Sequence, residues 1–180
     1  DEGEGMRRVA RWIGRRRYVM QPLLDLRTPA DEPRDVRALV QKDRLGRWTL
    51  TGLAARIGAP GGITANLHGG GRAAPAEAAL ERCFGAAETA RMVKELRDVS
   101  LAVVRRIEAS FGRFAELGLD FGIDRTGRLW FMEANAKPGR AAMACLGRAA
   151  ENAAIERPLA YARTILLRLS GRVTHEFDHL

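Results

Sequence analysis

Hydrophobic positions switch between a helical and a strand period several times along this chain. From Glu4 to Arg17, Met6, Val9, Trp12 and Ile13 fall at helical spacing, which predicts an amphipathic helix weakened near its end by Gly14. Tyr18 to Leu24 reads as a strand in which Pro22 marks a sheet edge or the point where the strand leaves the sheet, and Thr28 to Pro33 as a polar loop. Asp35 to Lys42 then alternates, with Val36, Ala38 and Val40 on one face and Asp35, Arg37, Leu39 and Gln41 on the other. A turn at Asp43 to Gly46 returns the chain as a partner strand over Arg47 to Ile57.

Helical spacing resumes over Pro75 to Phe84 and again over Ala86 to Phe111. In the second helix Met92, Leu96, Val99, Val103 and Ile107 form an apolar stripe expected to pack on the sheet. Leu117 to Asp124 and Arg128 to Asn135 are two further strands, joined through Arg125, Thr126 and Gly127. Asp at the start of that turn and Gly near its end suit a tight reversal. Helices are expected over Met143 to Ala154 and over Pro158 to Leu169, the latter ended by Gly171. The pattern is that of an α+β protein in which an antiparallel sheet packs on helices.

The chemistry concentrates in the last strand pair. If Asp124 faces Leu129, the register sets Asp120 opposite Glu133, and the period of two puts Asn135 on the same face as Glu133. The other face then carries Leu119, Phe121 and Ile123 with Trp130, Met132 and Ala134, a core face. Two carboxylates and an amide oxygen are hard donors that suit Mg²⁺ or Mn²⁺ better than zinc. Magnesium held by few protein oxygens keeps phosphate oxygens in its shell, so this set points to a nucleotide. The same spacing also describes a hairpin with a solvated acidic face.

Charge adds one competing picture. The chain has 30 basic and 22 acidic residues, a net charge of +8, and nearly all the cations are Arg. Arg7, Arg8, Arg11, Arg15, Arg16 and Arg17 form a basic run that resembles an electrostatic footprint for nucleic acid. No stacking aromatics are interleaved with it, which ranks that reading last. Cys83 and Cys145 lack a C-x-x-C spacing and read as small buried residues in a reducing compartment. No apolar run has the length of a signal peptide or a membrane span. His175-Glu176-Phe177-Asp178-His179 matches a zinc-protease pattern literally, but Gly171 breaks the helix that pattern needs, so no zinc site is expected.

The runs LDFGID and WFMEANAKPG resemble the metal-binding hairpin of the ATP-grasp superfamily of carboxylate–amine and carboxylate–thiol ligases. The order of a Gln-bearing strand, DVRALVQ, GLAARIGAP and ELGLDFGID is similar to the YheC/YheD family, named for association with the endospore coat, over Tyr18 to Tyr161. The resemblance implies ATP and Mg²⁺ (or Mn²⁺) as cofactors, with Asp120, Glu133 and Asn135 as metal ligands. It places adenine contacts at Gln21, Pro22 and Leu23, ribose at Asp35, the transferring phosphate at Arg37 and Arg56, and an active-site loop residue at Asn66. Either arginine is also readable as a surface strand residue. Guanidinium groups suit phosphate because they bind it bidentately and stay charged. His68 in the same Gly-rich loop reads as a solvent-exposed residue rather than a base, and no P-loop pattern is present.

The family also carries a Lys-Pro strand and a Gly-rich loop over the α- and β-phosphates, and nothing before Tyr18 resembles them. Several of its ligases have an Arg where Gly118 stands, facing Asn135. The expectation is a partial ATP-grasp domain over 1–180: a helix over 1–17, an ATP- and metal-binding sheet with loops over 18–140, and C-terminal helices over 141–180. Its N-terminal half lies outside the chain. The implied activity is an ATP-dependent ligase acting through an acyl phosphate on a carboxylate and an amine (or thiol), inactive as this fragment alone. The alternative is a non-catalytic, coat-associated structural protein. The implied location is cytoplasmic, with spore-coat association.

Overall fold

The computed structural model describes residues 2–65 and 70–169. Asn66, His68, Gly171 and the His175–His179 pattern lie outside the described residues. The element order is α1 (Glu2–Ile13), β1 (Arg34–Lys42), β2 (Trp48–Ile57), β3 (Arg72–Pro75), α2 (Ala76–Phe84), α3 (Ala86–Phe111), β4 (Glu116–Ile123), β5 (Leu129–Asn135), a 3₁₀ turn (Ala141–Leu146) and α4 (Arg148–Leu169). The strands form one sheet in the order β3-β2-β1-β4-β5, every neighbour antiparallel. This is the α+β architecture the pattern predicts.

β1 lies at the centre, and its alternation divides the molecule. Val36, Ala38 and Val40 face Leu117, Leu119, Phe121 and Ile123 of β4 together with Leu80, Met92, Leu96 and Val104 of α2 and α3. Burying such side chains contributes roughly 1.5–3 kcal/mol each, which makes this layer the main source of stability. Leu39 points the other way, into a smaller cluster with Ala54, Ala142, Met143 and Ala154. On that second face the 3₁₀ turn and α4 cover one end of the sheet, and a cavity opens at the other.

The hairpin between β4 and β5 differs instructively from its expected form. Ile123, not Asp124, pairs with Leu129, and Phe121 pairs with Phe131. A bulge then shifts the register so that Asp120 pairs with Glu133 and Gly118 with Asn135. The expected carboxylate pairing is reached by inserting Met132 as an extra residue rather than by a straight ladder. The expected core face therefore fails on β5: Phe131 meets Phe121 edge-on at 5.8 Å, whereas Met132 and Ala134 are exposed and Trp130 pairs with Gly122. Asp124 caps the turn, accepting from Thr126 N, Arg128 N and Trp130 Nε1. Hydrogen bonds from Thr126 and Trp130 hold its carboxyl down to about 2.

Two other expectations are corrected, and one strand is added. Tyr18 to Leu24 forms no strand: among the described residues no neighbour pairs with it, and Val19, Met20 and Leu23 are almost fully exposed. The first helix stops at Ile13, where Gly14 takes a positive φ of 55°, and Met6, Val9 and Trp12 remain exposed. β3, which the sequence pattern did not suggest, is only four residues of Arg, Ala and Pro, too short to show a period.

The predicted break at Pro158 is absent, and α4 runs through it as one helix after the 3₁₀ turn. Proline lacks the N–H that would bond to the carbonyl four residues back. That carbonyl, Ala154 O, instead accepts a hydrogen bond of 2.8 Å from Gln41 Nε2 on β1. Gln41 is fully buried, and its Oε1 accepts from Thr51 Oγ1 at 2.6 Å. Replacing Gln41 with Leu is expected to leave the Ala154 carbonyl unpaired and to lower stability by roughly 1–3 kcal/mol. Urea unfolding checks this, and a variant as stable as the parent would refute the account.

Candidate active site

A cavity of about 960 Å³ opens where β1, β2, β4 and β5 present their second face to the loops before β1 and after β2 and β5. It gathers Gln21, Leu23, Asp35, Arg37, Arg56, Asp120, Glu133 and Asn135 of the residues expected from sequence, but Pro22 does not line it. It also includes residues the sequence did not single out: Arg27, Arg34, Arg125 and Lys137. Arg27 ties the Gly-rich loop to the chain before β1, donating to Gly62 O at 2.8 Å and Asp31 O at 2.9 Å. Only the fold marks the three arginines, since each is one Arg among many.

The floor is an alternating chain of charges built from sheet register. Asp35 on β1 lies directly opposite Arg56 on β2, and Arg37 on β1 lies opposite Asp120 on β4. Arg56 grips Asp35 through Nε (2.6 Å) and Nη2 (2.8 Å), and its Nη2 also reaches Asp120 Oδ2 at 2.9 Å. Arg37 donates from Nε to Asp120 Oδ1 and from Nη2 to Oδ2 at 2.9 Å. All four residues are largely buried; the Asp120 side chain is 4% exposed. Arg37–Asp120–Arg56–Asp35 is thus a neutral set in which no member is left without a counter-charge.

Gly118 makes room for this arrangement. A Cβ there would lie 2.7 Å from Pro138 Cβ and 3.3 Å from Arg37 Nη1. The guanidinium of Arg37 passes over β4 through the space a side chain at position 118 would take.

Glu133 and Asn135 stand at the exposed margin, with Asn135 Nδ2 donating to Glu133 Oε1 at 3.0 Å. Among the described residues no three His, Cys, Asp or Glu side chains form a metal cluster. A divalent cation here would therefore draw on the amide oxygen of Asn135 as well as the carboxylates of Glu133 and Asp120. All are hard oxygen donors, which fits magnesium or manganese. Both Asp120 oxygens already accept from arginine, so a cation at this carboxylate competes with guanidinium.

The two buried acids are pushed in opposite directions. Burial raises the Asp35 carboxyl, and the hydrogen bond and charge of Arg56, with the charge of Arg37, offset this only in part. Burial acts on Asp120 as well, but the hydrogen bonds and charges of Arg37 and Arg56 outweigh it and hold the carboxyl below its ordinary value. Asp120 thus contributes stability above its unfolded value of 3.8 that is lost as pH falls through its lower folded value. Asp35 has the opposite sign, favouring folding more as acid protonates it. Carboxyl carbon titrations by NMR should show Asp35 protonating first, with a midpoint above 3.8, and Asp120 last, below 3.8. The reverse order would contradict the charge pattern.

The family model described as YheC/D like ATP-grasp matches residues 2–165. Among curated proteins, the chain is 33% identical over 124 residues to the endospore coat-associated protein YheD of Bacillus subtilis (strain 168), covering 68% of this chain and 27% of that protein. It is 30% identical over 123 residues to the endospore coat-associated protein YheC of the same organism, covering 68% and 34%. The chain thus spans about a third of the length of these relatives, or less. Among solved structures, N5-carboxyaminoimidazole ribonucleotide synthetase from Thermotoga maritima aligns over 78% of this chain and 31% of its own, at 10% identity and a TM-score of 0.44. With the family model spanning nearly all of the chain, this protein belongs to the YheC/D-like ATP-grasp family.

Proposed function

We propose that the chain is the nucleotide- and metal-binding segment of an ATP-grasp ligase that joins a carboxylate to an amine or thiol. The observation that carries this reading is the convergence of Asp120, Glu133 and Asn135 with Arg37 and Arg56 in one cavity. Glu133, Asn135 and Asp120 would hold Mg²⁺ (or Mn²⁺), which when bound supplies charge neutralisation at the β- and γ-phosphates of ATP. Arg37 and Arg56 hold the transferring phosphoryl oxygens and remain charged throughout. Asp35 would accept from the ribose hydroxyls, and the Gln21–Leu23 segment would meet the adenine edge. Asn66 belongs to the loop proposed to cover the site.

In the complete enzyme the substrate carboxylate would attack the γ-phosphorus, breaking the bond to the β-phosphate oxygen and releasing ADP. The resulting acyl phosphate would then be displaced by the amine or thiol with loss of phosphate. No side chain forms a covalent intermediate; the protein positions charges and excludes water. Location in the cytoplasm and association with a spore coat belong to the same proposal. No helix among the described residues is long and apolar enough to cross a membrane.

A second reading is a coat-associated protein that keeps the fold without turnover, and the double arginine grip on Asp120 favours it. Manganese titration of the full-length protein by electron paramagnetic resonance, with and without a non-hydrolysable ATP analogue, tests the binding claim. Glu133→Gln is expected to weaken nucleotide-dependent Mn²⁺ binding at least about tenfold, or 1.4 kcal/mol. Equal affinity in the variant would remove the metal role. ADP release with candidate acid and amine pairs would then separate the ligase from its silent counterpart.

A further inference from the structure

β1 carries a buried cation at the end remote from Asp35. There a second cavity, of about 300 Å³, is lined by Lys42, Leu45, Arg113, Tyr161, Ile165 and Arg168, with Gly46 at its edge. Lys42 is only 5% exposed, and its ammonium lies between two aromatic rings, with the centroids of Trp48 and Tyr161 each 5.1 Å away. It ion-pairs with Glu108, whose other oxygen accepts from Trp48 Nε1 at 2.8 Å. This carboxylate is therefore committed to the floor of the cavity.

The walls have no such compensation. Arg113 and Arg168 are exposed, and among the described residues neither side chain forms an ion pair or hydrogen bond. Among the described residues no acidic side chain lines the cavity, so three cations there stand against the single carboxylate beneath it. A concave wall of one sign concentrates its field and draws in a counter-ion. Guanidinium forks match phosphate in geometry and charge. Leu45, Ile165 and the Tyr161 ring supply an apolar wall beside those cations. Gly46 keeps this wall open: with φ at 82°, a Cβ there would come 3.2 Å from Tyr161 Cε2.

We propose that this cavity is a second anion site, separate from the nucleotide cavity, that takes a small organic phosphate monoester. The phosphate is held by Arg113, Arg168 and the ammonium of Lys42, and the organic group lies on Leu45, Ile165 and Tyr161. A duplex or single strand exceeds this site, whose volume is only about 300 Å³.

Phenyl phosphate is the probe, titrated into the 180-residue chain while amide ¹H–¹⁵N spectra are recorded. Saturable shifts are expected at Lys42, Leu45 and Gly46, unaffected by excess Mg²⁺ and a non-hydrolysable ATP analogue. The double variant Arg113→Ala, Arg168→Ala removes two exposed side chains that have no partner among the described residues, so its remaining spectrum should match the parent. It is expected to bind phenyl phosphate at least about tenfold more weakly. Undiminished binding by that variant, or shifts confined to residues 35–37, would overturn the site. Inorganic phosphate binding as tightly as phenyl phosphate would overturn the role given to the apolar wall. None of these outcomes depends on whether the nucleotide reading holds.

Discussion

A carboxylate buried within a sheet must be met by cations, and here that requirement couples three adjacent strands. Asp120 belongs to β4, its partner Arg37 to β1, and the bridging Arg56 to β2. Removing a charge from water costs several kcal/mol, and only close, well-hydrogen-bonded partners return it. The geometry that satisfies Asp120 therefore depends on the register of the β1 pairings and on the absence of a side chain at Gly118. In the proposed chemistry the same guanidiniums serve phosphate, so the neutral set seen here is one of two arrangements the groups must support. A triphosphate with its cation supplies both the negative charge the arginines would need and the positive charge Asp120 would need.

The rest of the fold holds that set in place. One face of β1 is sealed by α2 and α3 through Val36, Ala38 and Val40, which leaves the central strand little freedom to shift. The other face is shared between packing and chemistry. Leu39 and Gln41 serve the packing end, and Arg37 and Asp35 the cavity end. Gln41 ties β1 to α4 by donating to the carbonyl that Pro158 leaves free. A proline that reads as a helix start is accommodated mid-helix because a neighbouring strand satisfies the orphaned oxygen.

The sequence by itself determined the period-two strands and the amphipathic helices, because alternation and helical spacing are local. Ala86–Phe111 is helical over its predicted span, and Asp120 pairs with Glu133 as read. The family was legible too, since LDFGID and WFMEANAKPG keep donor types at fixed spacing. What local pattern did not carry was any feature that needs a distant partner. Tyr18 to Leu24 has strand composition but no neighbour among the described residues, and a strand without a ladder does not form. The bulge at Met132 was equally hidden, because one extra residue in a ladder leaves no trace in composition. Only the tertiary structure decided that Arg37 and Arg56 lie against Asp120 rather than in solvent, since charge balance inside a sheet is set by which strands adjoin.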